Sequence, residues 1–136
     1  HYPDLPDRVV HGDFGLWNLL FDDGQLSGVL DFDWCRRDAW ATDVAQWIAP
    51  LSQRALAVTR SFLEGYQESR PLDDIEWLLL PALMRAQLVH FGAFRLAEWK
   101  RLSSERAVAG ISHTVGERFG QVDSLAAALN REIRSR

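Results

Sequence analysis

Three oxygen-bearing side chains at fixed spacing constrain this chain more than anything else in it. Asn18 follows Asp13 by five positions, and Asp31 follows Asn18 by thirteen. Between the last two the sequence spells a hairpin. Leu19-Leu20-Phe21 is a short apolar run. Asp22-Asp23-Gly24 is a turn signal, because Gly accepts positive φ without cost and Asp is frequent in such turns. Leu26 to Leu30 returns and delivers Asp31 at its end. Antiparallel pairing closes the open end of a hairpin. Asn18, just before the first strand, and Asp31, just after the second, are therefore expected side by side. Asp13 stands on the preceding loop, which begins at His11 after a very short strand at Val9 and Val10.

The remainder reads as helix. Pro3 and Pro6 punctuate an entry segment from His1 to Asp7. From Ala39 onward no strand signal survives. Helices are expected over Ala39 to Ile48, ended by Pro50, and over Leu51 to Gln67, with Ala55, Val58, Phe62 and Tyr66 at helical spacing. Arg70-Pro71 breaks the pattern. A long helix follows, capped by Asp73 or Asp74 and running to about Arg101. Its apolar positions, among them Ile75, Leu78, Leu83, Val89, Phe94 and Leu96, surround much of the cylinder and predict the buried centre of a bundle. Ser103 or Ser104 opens a helix that Gly120 is expected to end, and Asp123 or Ser124 opens the last, up to Arg134. The fold class is thus α+β, mostly α, with a short β-hairpin carrying the functional residues and a helical bundle behind it.

Composition limits the partners. A chain of 136 residues fits one domain or one lobe of a larger one. A net charge of −4 leaves no general basic footprint, so nucleic acid is not expected as a partner. No apolar run reaches the roughly 18 residues of a membrane span, so no membrane is expected either. The single cysteine, Cys35, cannot close an internal disulfide, which suits a reducing, cytoplasmic compartment.

Asp13, Asn18 and Asp31 are the residue types that phosphoryl transfer needs. That reaction asks a protein to hold an acceptor hydroxyl in line, take its proton and neutralise phosphate charge with metal. A carboxylate at Asp13 can do the first two. The amide oxygen of Asn18 and the carboxylate of Asp31 are hard donors suited to Mg²⁺. The protein-kinase loop reads H-R-D-x-x-x-x-N with D-F-G downstream, and this chain has H-x-D-x-x-x-x-N and then Asp31-Phe32-Asp33. A lone H-x-D-x-x-x-x-N arises by chance, and Asp and Asn are common turn residues; the hairpin context gives the pattern its weight. Two other readings stand beside it. One is a non-catalytic lobe serving as an interaction or scaffold domain. The other is a metal-dependent hydrolase using His11, Asp13 and Asp31, which leaves Asn18 unexplained.

Residues 9 to 47 resemble the C-terminal lobe of the aminoglycoside phosphotransferase-like family, which includes choline and homoserine kinase-like small-molecule kinases and shares the protein-kinase fold. Its signature stands here as His11-Gly12-Asp13, Asn18, Leu30-Asp31-Phe32 and Asp43-Val44-Ala45. The resemblance implies Asp13 as the catalytic base and Asn18 and Asp31 as ligands of Mg²⁺. It implies Leu20 under the adenine of ATP or GTP, and a small-molecule hydroxyl as acceptor. Asp43 would be a buried acid that bonds the catalytic-loop backbone, and His11 would order that loop. Asp33 stands where D-F-G has glycine and is open to three roles: a second metal contact, a contact to a cationic acceptor, or a cap on the following turn. Trp17, within the loop, is a candidate acceptor contact. Many relatives carry His two residues after the Asp and Pro-Gly before the Asn; Gly15 and Leu16-Trp17 occupy those places here.

The family's phosphate-gripping lysine has no counterpart. Lys100 is the only lysine, near the end of the long helix, and no G-x-G-x-x-G occurs. Residues 1–136 are therefore expected to form a C-terminal lobe whose N-terminal nucleotide lobe is missing. Such a lobe should show little transfer alone and should tend to self-associate through its exposed interlobe surface. Acids at Glu64, Glu68, Asp73, Asp74 and Glu76 could meet an amine-bearing acceptor, although a solvated face is their ordinary role.

Overall fold

The structure is a computed structural model that describes residues 5, 7–49, 56–102 and 105–134. Four short strands precede four helices. They are β1 (Asp7–Val10), β2 (Leu19–Asp22), β3 (Gln25–Val29) and β4 (Arg36–Ala39), then α1 (Ala41–Ile48), α2 (Leu56–Ser69), α3 (Asp74–Leu102) and α4 (Glu105–Arg134). The expected helix stop at Pro50, the helix start at Leu51 and the caps at Ser103 or Ser104 lie outside the described residues.

The hairpin forms as its turn chemistry dictates. β2 and β3 pair antiparallel, Asp22 opposite Gln25. The two linking residues, Asp23 and Gly24, have φ of 47° and 74°. Positive φ at both positions is the two-residue hairpin turn whose twist matches that of the strands. Ser27 is an extra residue on β3, since Leu20 faces Gly28 while Phe21 faces Leu26, and such a bulge sharpens the local twist.

β4 departs from expectation. The sequence predicts a helix from Ala39, but residues 36–39 form a strand antiparallel to β1, with Asp7 opposite Ala39 and Val10 opposite Arg36. Arg36-Arg37-Asp38-Ala39 has neither alternation nor β-branched residues, so local propensity gives no hint of it. Pairing with β1 creates the strand. The consequence is mechanical: the β1–β4 ladder clamps both ends of the segment that carries the loop and the hairpin.

The helices supply the core. α3 packs against both α1 and α4. Leu80, Met84 and Leu88 of α3 meet Val44 and Ile48 of α1 and Val122, Leu125 and Leu129 of α4 in one buried cluster. The expectation of a helix buried on all sides holds for only part of α3. Leu78 and Val89, which share a face of α3, are 69% and 58% exposed, so that face is uncovered. The stretch Asp74–Ala97 has the length and mean hydropathy, 1.2, of a membrane span. In the fold it is the helix on which α1 and α4 pack, and Arg85 in its middle pairs with Asp123 of α4 at 2.5 Å.

Gly120 does not end a helix. α4 runs from Glu105 to Arg134 without interruption. A glycine inside a helix costs only about 1 kcal/mol, and Val122, Leu125, Ala126 and Leu129 continue a stripe at helical spacing into the core. Burial of that stripe outweighs the local penalty.

The start of α3 is held by an ion pair between a buried Glu76 and a partly buried Arg70. Asp73 Oδ1 accepts from the Glu76 backbone N–H at 2.8 Å, and Glu76 Oε2 accepts from the Asp73 N–H at 3.0 Å. This is a reciprocal capping box. Glu76 is fully buried and its Oε1 accepts from Arg70 at 2.7 Å. Arg70 also lies 4.2 Å from the centre of the Trp40 ring, which Arg8 approaches to 5.8 Å. Arg70 Nη1 donates to the Tyr66 hydroxyl at 3.3 Å. Burial pushes the Tyr66 phenol above its ordinary value of 10.0, against the pull of Arg70. Whatever stability this shift contributes is complete below pH 10 and is lost as pH rises through the folded value.

Removing Glu76 by Glu76→Ala is expected to cost about 3–5 kcal/mol, because it strands a partly buried guanidinium and an uncapped N–H. Urea denaturation of wild type and variant measures it; a change below about 1 kcal/mol would contradict the cluster's role.

Candidate active site

The loop between β1 and β2 is suspended from α1 by one carboxylate. Asp43 Oδ2 accepts from the His11 backbone N–H at 2.7 Å, and its Oδ1 accepts from that of Gly12 at 2.9 Å. Asp43 is half-buried rather than buried. Gly12 has φ of 79°. A Cβ there would run into the Trp34 carbonyl oxygen and lie 2.5 Å from Arg36 Nη1. Only glycine lets the loop pass so close to the chain after the hairpin.

His11 ties the loop to the hairpin. The Asp13 N–H donates to His11 Nδ1 at 3.3 Å, so Nε2 carries the proton and donates to the Leu30 carbonyl at 2.8 Å. Both ring nitrogens are thus used by backbone groups, and the ring is buried against Phe32 at 4.7 Å. Across the same opening, the Leu30 N–H donates to the Asn18 carbonyl at 2.8 Å. Asn18 and Leu30 close the hairpin mouth, and Asp31 is the next residue.

Asp13 is the convergence point. Its Oδ2 accepts from Asn18 Nδ2 at 2.9 Å and from Trp17 Nε1 at 3.2 Å. Its Oδ1 accepts from Gln46 Nε2 at 3.0 Å. Asn18 Nδ2 is shared with the Asp13 carbonyl, also at 2.9 Å. The amide nitrogen of Asn18 is therefore spent on Asp13, leaving its Oδ1 as a free oxygen donor. Asp31 lies in the left-handed region, φ 59° and ψ 68°, and is exposed. Asp tolerates that conformation better than most residues, and it turns the chain from β3 into a short 3₁₀ turn at Phe32–Trp34.

The oxygen set suits one kind of ion. No group of three or more His, Cys, Asp or Glu poised for a metal occurs among the described residues. Asn18 and Asp31 supply two hard oxygens. A cation that keeps water and shares substrate phosphates, as Mg²⁺ does, fits such a pair; one that demands a full protein cage does not.

The other expected residues fall at separate places. Leu20 is 47% exposed on β2. Trp17 is bonded to Asp13 and itself exposed. Asp33 is exposed in the 3₁₀ turn, and the capping alternative finds no hydrogen bond from it among the described residues. The helical acids do not gather at the site: Asp73 and Glu76 form the cap of α3, and Glu64 is 3.8 Å from Arg60.

Gly15 and Trp17 prove to be one departure rather than two. A Cβ on Gly15 would lie inside the Trp17 indole. The ring fills the space that a side chain at position 15 would need, and from there reaches Asp13.

Beside Asp13 opens a cavity of about 390 Å³. Asp13, Trp17 and Trp34 form one wall. α3 forms the other with Gln87, His90, Phe91, Phe94 and Arg95, and Gln46 of α1 joins them. Sequence reasoning did not assign Gln46 or these α3 residues to the site. Gln46 lies one helical turn beyond Asp43 and clasps the loop twice, since its Oε1 also accepts from the Phe14 N–H at 3.3 Å. The α3 spacing of 87, 90, 91, 94 and 95 is one helix face, and that spacing is the signal that could have grouped them.

Comparison with known proteins gives two findings. A model of the phosphotransferase enzyme family matches residues 1–78. Homoserine kinases are similar to this chain. That of Rhizobium rhizogenes is 39% identical over 106 residues, which is 73% of this chain and 33% of the relative. That of Polaromonas naphthalenivorans is 37% identical over 101 residues, 70% of this chain and 32% of the relative. That of Agrobacterium fabrum is 38% identical over 106 residues, with 73% and 33% covered. The chain spans about a third of the length of these curated relatives.

Two substitutions test the loop's suspension. Asp43→Asn replaces one acceptor with an amide that faces an N–H, and is expected to cost roughly 1.5–3 kcal/mol. Gly12→Ala combines a positive φ with a backbone collision and is expected to cost about 1–3 kcal/mol. Both are read by denaturation, and unchanged midpoints would remove the tether from the account.

Proposed function

The chain belongs to the phosphotransferase enzyme family, and on that premise we propose that it is the C-terminal lobe of a protein-kinase-like enzyme. In this reading the enzyme moves the γ-phosphate of ATP, or GTP, to a hydroxyl of a small molecule. Homoserine is the acceptor that the relatives' names favour. The observation that carries the reading is the state of Asp13: three side-chain N–H donors, from Trp17, Asn18 and Gln46, hold its carboxylate at the edge of a cavity.

Asp13 orients the acceptor hydroxyl and takes its proton as the oxygen bonds to the γ-phosphorus and the bond to the β–γ bridging oxygen breaks. Trp17, Asn18 and Gln46 fix the carboxylate so that little orientation is left to pay for at the moment of reaction. Asn18 through Oδ1 and Asp31 through its carboxylate would hold Mg²⁺, which supplies charge neutralisation at the β- and γ-phosphates. Leu20, exposed on the hairpin, would lie under the adenine. Asp33 stands close enough in sequence to Asp31 to serve the same ion or an acceptor amine.

The remaining apolar surface supports a second lobe. Val9, Leu16, Leu20, Phe21, Leu26 and Phe32 are all exposed around the loop and hairpin. So dense a set marks a contact surface. We assign it to the N-terminal nucleotide lobe that residues 1–136 do not contain, in an enzyme of the cytoplasm. Residues 1–136 alone should self-associate, and light scattering that finds a monomer at high concentration would count against this assignment.

The reaction is tested with the full-length protein, Mg²⁺, ATP and homoserine. Asp13→Ala should lower kcat by about 100- to 10,000-fold while nucleotide still binds. Asp31→Ala should abolish Mg²⁺-dependent nucleotide binding. Turnover that survives both changes would overturn the proposal, and wild type without turnover of any alcohol would favour a scaffold.

A further inference from the structure

The two oxygens of Asp13 are held unequally. A carboxylate offers about four lone-pair sites, shared between its oxygens. Asn18 Nδ2 and Trp17 Nε1 both donate to Oδ2, at 2.9 and 3.2 Å, and fill it. Oδ1 has a single donor among the described residues, Gln46 Nε2 at 3.0 Å. One site on Oδ1 is left over, and Asp13 and Gln46 both line the cavity. Gln46 can face Asp13 in only one sense. Its Oε1 accepts from the Phe14 N–H at 3.3 Å. A backbone N–H only donates and an ionised carboxylate only accepts. The amide oxygen must therefore meet Phe14, and the amide nitrogen must meet Asp13. Both ends of this bridge are anchored. The Phe14 ring packs against Trp47 of α1 and Phe62 of α2, with centroids 5.8 and 6.4 Å away. Gln46 follows Ala45, which is fully buried in α1.

We infer that Oδ1 of Asp13 is the oxygen that receives the acceptor's proton, and that Gln46 is the positioning residue that aims it. The inference rests on the reading of Asp13 as the base and goes beyond it by assigning the reacting atom. The acceptor hydroxyl donates into the one open site on Oδ1. As the hydroxyl oxygen bonds to the γ-phosphorus, its proton passes to Oδ1. The bond from phosphorus to the β–γ bridging oxygen breaks, and the nucleoside diphosphate leaves with that electron pair. The proton on Oδ1 is afterwards lost to water. Oδ2, with both sites filled, takes no part. Asn18 and Trp17 fix one oxygen, but the plane of a carboxylate is set only by a second fixed point, and Gln46 supplies it. The aim of the base therefore comes from α1, outside the loop and hairpin that carry the rest of the site.

The test separates the two bonds of Gln46 in the full-length protein with Mg²⁺, ATP and homoserine. Gln46→Lys can donate to Asp13 but cannot accept from Phe14. Gln46→Glu can accept from Phe14 but cannot donate to Asp13 while ionised, so the assay is run at about pH 8.5. Gln46→Met does neither. Gln46→Met and Gln46→Glu should both lower kcat by about 10- to 100-fold, with the KM for ATP near wild type, and Gln46→Lys should recover part of the loss. The reverse order, with Gln46→Glu near wild type and Gln46→Lys as slow as Gln46→Met, assigns the effect to the Phe14 bond and overturns the inference. So does an equal loss in all three variants. A kcat for Gln46→Met within about 2-fold of wild type overturns it too, since Oδ2 keeps both its donors there. Each of these results leaves the kinase reading standing. Should wild type phosphorylate no alcohol, the kinase reading falls and the proton-transfer role falls with it. The positioning role is then decided by the side-chain amide signals of Gln46 in protein labelled with ¹⁵N-glutamine. Slow exchange with solvent that Asp13→Ala abolishes upholds it; signals indifferent to Asp13→Ala overturn it.

Discussion

A single carboxylate, that of Asp43, connects the two halves of this fold. Its two oxygens take the backbone N–H groups of His11 and Gly12 at 2.7 and 2.9 Å. Those groups belong to a loop, and loops position nothing unless something rigid holds them. α1 is rigid because Val44, Ala45 and Ile48 are buried against the bundle. The tether therefore passes the stability of the helical core to the one stretch where chemistry is expected. Gln46, one helical turn beyond, extends the same tether from the loop backbone to the Asp13 carboxylate.

A second chain of bonds runs from the loop to the hairpin. His11 spans the gap with both ring nitrogens, and the Leu30 N–H reaches back to Asn18. Every link is a backbone or buried group that would cost free energy if left unpaired. The loop cannot shift against the hairpin without breaking several bonds together. The relation of Asp13 to Asn18 follows from that cooperation together with the two hydrogen bonds that Asn18 Nδ2 donates to Asp13.

The side chains around Asp13 show how one local change is accommodated. Trp17 needs the volume above Gly15, so a glycine there and a tryptophan two residues later form a unit. The indole then serves twice, as a donor to Asp13 and as a wall of the cavity. Position 15 carries no side chain, and the space is filled by the indole whose N–H reaches Asp13.

Local chemistry determined the parts whose cause is local. The Asp23-Gly24 turn, the order of strands before helices and the start of α3 at Asp73 each follow from residues within a few positions of one another. The five-residue spacing of Asp13 and Asn18 likewise implied their contact, which Asn18 Nδ2 makes at 2.9 Å. Tertiary structure decided what depends on distant partners. β4 exists because β1 is there to pair with it, and nothing in Arg36-Arg37-Asp38-Ala39 asks for a strand. α4 runs through Gly120 because the core rewards the residues beyond it. The cavity joins a loop near residue 13 to a helix face near residue 90, and only the packing of α1 on α3 brings them together. A sequence states which groups are present and how near neighbours must bend; which remote groups share a pocket is fixed by the summed burial of the whole chain.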